Sequence, residues 1–244
     1  MKTIHETGHA VNITNFLTMI SRCQGYGARY NPSNIAIKIV NLQTIGNNAN
    51  TTLTTFDNSK PAYTNAVNTR ENLLVDHKKL STRILNAVAV SANVQANTVA
   101  DVKTINRKLQ GSRKDKIILN PTPDDAKQIS ASQQSYTQIA ENLAKLIALV
   151  SSIPTYIPNE TDLQVVSLNT YLTQVKNANA AVIAATTPML VAMEARNQVL
   201  YAPATGLVDI ALAVKKYVKS VKAITLAEYR EISGLEFRRP PKKH

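Results

Sequence analysis

Residues from 156 onward repeat residues from 30 onward at an offset of 126 positions. Tyr30 pairs with Tyr156, Pro32 with Pro158, Ile39 with Val165, Leu42 with Leu168 and Thr44 with Thr170. Farther on, Arg70 pairs with Arg196, Leu74 with Leu200, Ile84 with Ile210 and Val88 with Val214. Upstream, Ile13, Leu17 and Ile20 fall on Ile139, Leu143 and Leu146. A register held over most of the chain predicts two copies of one unit, each burying its apolar face against the other.

The unit is helical. The chain has 7 glycines, none between Gly46 and Gly111 or between Gly111 and Gly206, whereas strand-rich chains scatter turn glycines. An amphipathic stripe predicts a first helix over about 8–24, with Val11, Ile13, Phe16, Leu17, Ile20 and Cys23 on one face. Gly25 and Gly27 end it, and Tyr30-Asn31-Pro32-Ser33 makes a turn with Ser33 or Asn34 as the next N-cap. A long helix over 33–75 follows, with Ile35, Leu42, Ile45, Ala49, Phe56, Tyr63, Ala66 and Leu73 on a heptad-like track. Unbroken, it would run roughly 60 Å, and Pro61 is expected to kink or break it. The second copy keeps the design, from Leu168 and Tyr171 to Ala192, with Pro188 one residue out of register with Pro61. Further helices are expected at 78–93, 98–110, 124–152 and 205–224.

These elements predict an all-α fold: an elongated bundle of long antiparallel helices built from two tandem homologous repeats. Residues 1–110 form the first repeat, 111–123 a linker, 124–232 the second repeat and 233–244 a basic, flexible tail. Tyr30/Pro32 and Tyr156/Pro158 read as matching structural turns that fix the angle between two helices, with the tyrosine packed beneath.

The long helices are nearly free of charge. From Asn34 to Thr69 the charged residues are Lys38, Asp57 and Lys60; from Thr161 to Met193 they are Asp162 and Lys176. A solvated helix face is normally filled with Lys, Glu and Arg. Uncharged polar and small residues suit a face that packs against a neighbour without desolvating charge. The flanks therefore read as contact surfaces, with Thr51 and Asn179 as outward positions. The Ala-rich stretch Asn177–Met193 could serve as the insertion segment of a helical pore-forming toxin, a family this architecture loosely resembles. Tight helix packing accounts for it better, because its counterpart in the first copy is rich in Asn and Thr.

Motifs for chemistry are sparse. His5-Glu6-Thr7-Gly8-His9 spells H-E-x-x-H and resembles the helix motif of zinc metalloproteases, which would make His5 and His9 zinc ligands. The context argues against it: four preceding residues cannot supply a flanking sheet, and the aligned positions 131–135 are Ala-Ser-Gln-Gln-Ser. No P-loop, dinucleotide fingerprint or nucleophile elbow occurs. No catalytic residue, cofactor or metal is nominated. Cys23, the single cysteine, lies on the apolar stripe and reads as a buried structural thiol.

Net charge is +12 with a pI near 9.8, which favours anionic partners such as nucleic acid or a membrane surface. The cations cluster at Lys103–Lys116, at Lys215, Lys216, Lys219 and Lys222, and at Arg238–Lys243. Interleaved aromatics for stacking bases are absent. The N-terminal residues lack the apolar run of a secretory signal and no segment is expected to reach the uninterrupted apolar length of a transmembrane helix, so a cytoplasmic protein is expected, with leaderless release as the other route. The leading expectation is a non-enzymatic structural protein that self-assembles into a filament, tube or other array through the flanks of its long helices. The alternatives are a membrane-active bundle and a nucleic-acid-associated protein.

Overall fold

The computed structural model describes residues 8–111 and 134–240, and these are helical without a strand among them. Eight α-helices carry the described chain: α1 (His9–Gly25), α2 (Ile39–Leu74), α3 (His77–Val90), α4 (Ala96–Gln110), α5 (Tyr136–Ser151), α6 (Val165–Tyr201), α7 (Leu207–Ser220) and α8 (Leu226–Ser233). His5, most of the expected linker, the start of the expected 124–152 helix and the last four residues lie outside the described residues.

Local sequence sets the helix ends. Asn34 does act as a cap, but of a single 3-10 turn, Ile35–Ile37, where its side chain accepts from the Ala36 amide at 3.0 Å. The long helix consequently begins at Ile39 rather than near 33, and Ile35 is exposed instead of on the buried track. Ser135 caps α5 by accepting from the Gln138 amide at 3.2 Å, and Thr225 with Glu228 forms a reciprocal capping box at α8. Gly111 ends α4 in the left-handed region (φ 74°), where a side chain would be strained and would meet Gln134 at 2.9 Å.

Pro61 and Pro188 break neither long helix: α2 runs 36 residues and α6 runs 37. Each proline removes one amide and strands the carbonyl four residues earlier, at Asp57 and Ala184. Those positions and both prolines are exposed, so water satisfies the stranded groups.

The elements recur along the chain. From α2 to α6 the start moves by 126 positions, and from α3 to α7 and from α4 to α8 by 130. The ungapped register read from sequence therefore slips by four after the long helices. Three of the four positions come from the connection, Val75 and Asp76 between α2 and α3 against Ala202–Gly206 between α6 and α7, and the fourth from the extra residue of α6. That longer link turns through Ala204 (φ 64°) and packs Gly206 so tightly that a Cβ there would lie 2.6 Å from the Ala202 nitrogen. Burial fits either offset: buried Ile84 and Val88 meet buried Ile210 and Val214 at 126, and buried Val214 and Val218 at 130.

The chain divides into two compact units: Met1–Tyr63 with Ala185–His244, and Thr64–Ala184. This differs from the division at 111–123, because the boundaries cut through α2 and α6. In the first unit, α1 packs with α7 from the far end of the sequence, around Phe16, Met19, Leu42, Leu200, Leu207 and Ile232. In the second, α4 packs on α3 and α5 around Ile84, Leu109, Leu143, Leu146 and Leu168. Burying each such side chain contributes about 1.5–3 kcal/mol, so each unit holds its own core. Cys23 is buried in the first core, and burial pushes its thiol up to about 12, as fits a structural residue.

The tail is not free as far as it is described. Asn12 Nδ2 donates to the Arg238 carbonyl at 2.8 Å, the Arg238 amide donates to Asn12 Oδ1 at 3.0 Å, and Arg239 pairs with Asp209 at 2.7 Å. Phe237 packs against the first core. The expectation of a flexible tail overlooked Asn12, a buried polar residue whose amide needs partners.

Candidate functional site

The long helices bury one side and expose the other. On α6 the buried positions are Leu168, Val175, Ala178, Val182, Ala192, Arg196 and Leu200. Opposite them, Ala180, Ala181, Ile183, Ala184, Thr187, Pro188, Leu190 and Val191 are exposed, with Ile183 at 70% and Val191 at 64%. An 18-residue stretch of α6 has a mean hydropathy of 1.3, yet only 11% of it is buried. Contrary to the expectation of no segment of transmembrane length, α6 is by length and composition long and apolar enough to cross a membrane. Tight packing of 177–193 is therefore not what the described residues show: among them, little covers this segment.

The exposed side of α2 has the same geometry and a different chemistry. Asn50, Thr51, Thr54, Asp57, Pro61, Thr64 and Asn68 are exposed there. Many hydroxyls on both helices are satisfied by their own backbone: Thr52 and Thr55 donate to the Asn48 and Thr51 carbonyls at 2.9 and 2.8 Å. Thr170 and Thr173 do the same on α6, to Val166 and Asn169 at 3.0 and 2.9 Å. A donor already bonded to its own helix loses little when the face is covered.

Thr51 is exposed, as the sequence pattern predicts. Asn179 is not outward: it is half-buried and its Nδ2 donates to the Tyr136 carbonyl at 3.1 Å. The helix turns by about 100° per residue, so 179 falls about 40° from buried Val175 and about 60° from buried Val182, against about 100° from exposed Ala180.

The two Tyr-x-Pro turns match in detail. Buried Tyr30 donates its hydroxyl to the Ile37 carbonyl at 2.7 Å, and buried Tyr156 donates to the Leu163 carbonyl at 2.9 Å. Pro32 is buried and Pro158 half-buried. Burial raises both phenols, Tyr156 to about 12. Each bond ties the turn to the last residue of its 3-10 segment, just before the long helix begins.

The basic patch on α7 is smaller than its sequence implies. Lys216, Lys219 and Lys222 are exposed, but Lys215 turns inward, donating to the Ser233 and Leu235 carbonyls, with its Nζ 5.4 Å from the Phe237 ring. His9 is also engaged: its Nδ1 shares a hydrogen bond with the Tyr201 hydroxyl at 2.8 Å, and burial followed by Arg196 lowers its pKa. Among the described residues no group of three His, Cys, Asp or Glu could hold a metal. A cleft of about 310 Å³ in the second unit is lined by Asp76, Lys79, Arg83, Asp162 and Tyr171, but Arg83 and Asp162 neutralise one another.

Sequence reasoning noticed Arg70 and Arg196 only as a matched pair. Arg196 is 6% exposed, stacks 4.2 Å over Phe56, and donates Nε and Nη2 to Asn197 Oδ1. Arg70 stacks 3.6 Å over Tyr136. One arginine at a matched position on each of two helices that carry few charges was the available signal. No family model, curated protein or solved structure matches this chain.

Proposed function

We propose that this chain is a non-enzymatic structural protein that associates with copies of itself through the outward faces of its long helices. Its architecture on this reading is two fused homologous repeats, forming an elongated bundle with α2 and α6 antiparallel. The matched tyrosine turns, the paired arginines and the near-equal lengths of α2 and α6 support the duplication. One observation carries the assembly: α6 is charge-free from Asn177 to Met193 and exposes Ile183, Leu190 and Val191 along that length. An exposed apolar strip of this kind is costly in water unless something covers it. Sedimentation of the full chain across concentration tests the reading: association is expected, and a monodisperse monomer throughout would end it.

A membrane-active role is the second reading, favoured by the mean hydropathy of 1.3 on the same helix. It requires the helix to leave its contacts with the cores and bury itself in lipid. Co-flotation with anionic vesicles separates the two, since the assembly reading expects the protein to stay off them.

A further inference from the structure

We infer that two copies of this chain pair antiparallel along α6, about a two-fold axis at the level of Ala185. This rests on the assembly reading and says which face meets which. Lys176, Ala180, Ile183, Thr187, Leu190 and Glu194 are all exposed and follow one another at spacings of 4, 3, 4, 3 and 4. That is the heptad spacing of a coiled-coil seam, and the eighteen residues from end to end make about five turns, so both ends lie on one face.

The seam ends in opposite charges with no charge between them. Neither Lys176 nor Glu194 has an ion-pair partner among the described residues. A parallel pair would set lysine against lysine and glutamate against glutamate. An antiparallel pair centred on Ala185 sets Lys176 of each copy against Glu194 of the other. The same axis sets Ala180 against Leu190 and Ile183 against Thr187. Each layer then combines a larger side chain with a smaller one, which lets the faces interdigitate. The helix is already held by the two cores, so pairing needs no helix formation. The occupant is a second copy because the charge pattern of the seam is its own complement under reversal.

Disulfide trapping in the full chain tests the geometry, and buried Cys23 stays out of the chemistry. A mixture of Ala180→Cys and Leu190→Cys proteins should cross-link rapidly. Either protein alone should not, because like positions would be separated by about ten residues, or roughly 15 Å along the axis. Lys176→Glu or Glu194→Lys alone should weaken association about tenfold, and the double exchange should restore it. Circular dichroism confirms that each exposed variant is folded. Self-cross-linking of Ala180→Cys would overturn the antiparallel register. Association without any of these cross-links would overturn this seam while leaving assembly standing. A wild-type monomer would end both, and vesicle binding abolished by Ile183→Glu would give the face to lipid.

Discussion

Two helices of almost the same length and matched register, α2 and α6, solve the inner side alike and the outer side differently. Buried Leu42 and Ala49 on α2 answer to buried Leu168 and Val175 on α6. Outward, Asn50, Thr54, Asp57, Pro61, Thr64 and Asn68 answer to Lys176, Ala180, Ile183, Thr187, Leu190 and Glu194, and all twelve are exposed. The inner side is constrained by core volume on both helices. The outer side makes few contacts among the described residues, so the fold there does not dictate which residues are apolar. The difference separates what the architecture needs from what association needs.

The largest expected effect breaks the comparison at one position. Ile183→Glu places a charge where Asp57 already stands on α2. Sedimentation should show association weakened more than a hundredfold, because an unpaired charge at a packed face costs several kcal/mol. Thermal stability of the monomer should change by less than about 0.5 kcal/mol, since Ile183 is 70% exposed.

The inner side should behave oppositely. Leu42→Ala and Leu168→Ala should each cost about 2–5 kcal/mol in denaturant unfolding. Similar losses in the two would sharpen the equivalence of the inner faces.

Smaller effects belong to the turns that launch the helices. Tyr30→Phe and Tyr156→Phe each strand a buried carbonyl, at Ile37 and Leu163, and should cost about 1–3 kcal/mol. The tyrosines also set an alkaline limit. Burial raises Tyr156 and Tyr171 from 10.0 to about 12, so folding favours their neutral forms. Their contribution is fully present below pH 10 and is lost as pH rises toward 12. Unfolding followed against pH should show this loss, reduced in Tyr171→Phe.

The smallest expected effect is on α2. Thr51→Lys should leave α6 pairing within about twofold, because the exposed side of α2 offers no apolar seam. A large loss there would show that both long helices contribute faces of similar weight.

The helical class, the turns around Tyr30 and Tyr156 and the core positions Leu42 and Leu168 were legible because periodicity and capping are local signals. The outward seam was only half legible. Missing charge marked 177–193, but charge alone cannot distinguish a covered helix from an exposed one. Asn179 lies on an almost charge-free stretch that reads as an outward flank, whereas its amide serves the Tyr136 carbonyl. The four-residue slip after α6 and the inward turn of Lys215 depend on packing between distant segments, which no local window records. The first unit likewise pairs α1 with α7 from the far end of the sequence, an arrangement set by tertiary contact.

Sedimentation equilibrium of wild type beside Ile183→Glu, over a wide range of concentration and salt, tests the central claim most directly. The account predicts a concentration-dependent rise in mass for wild type and a folded monomer for the variant. Equal masses for the two at every concentration would contradict it.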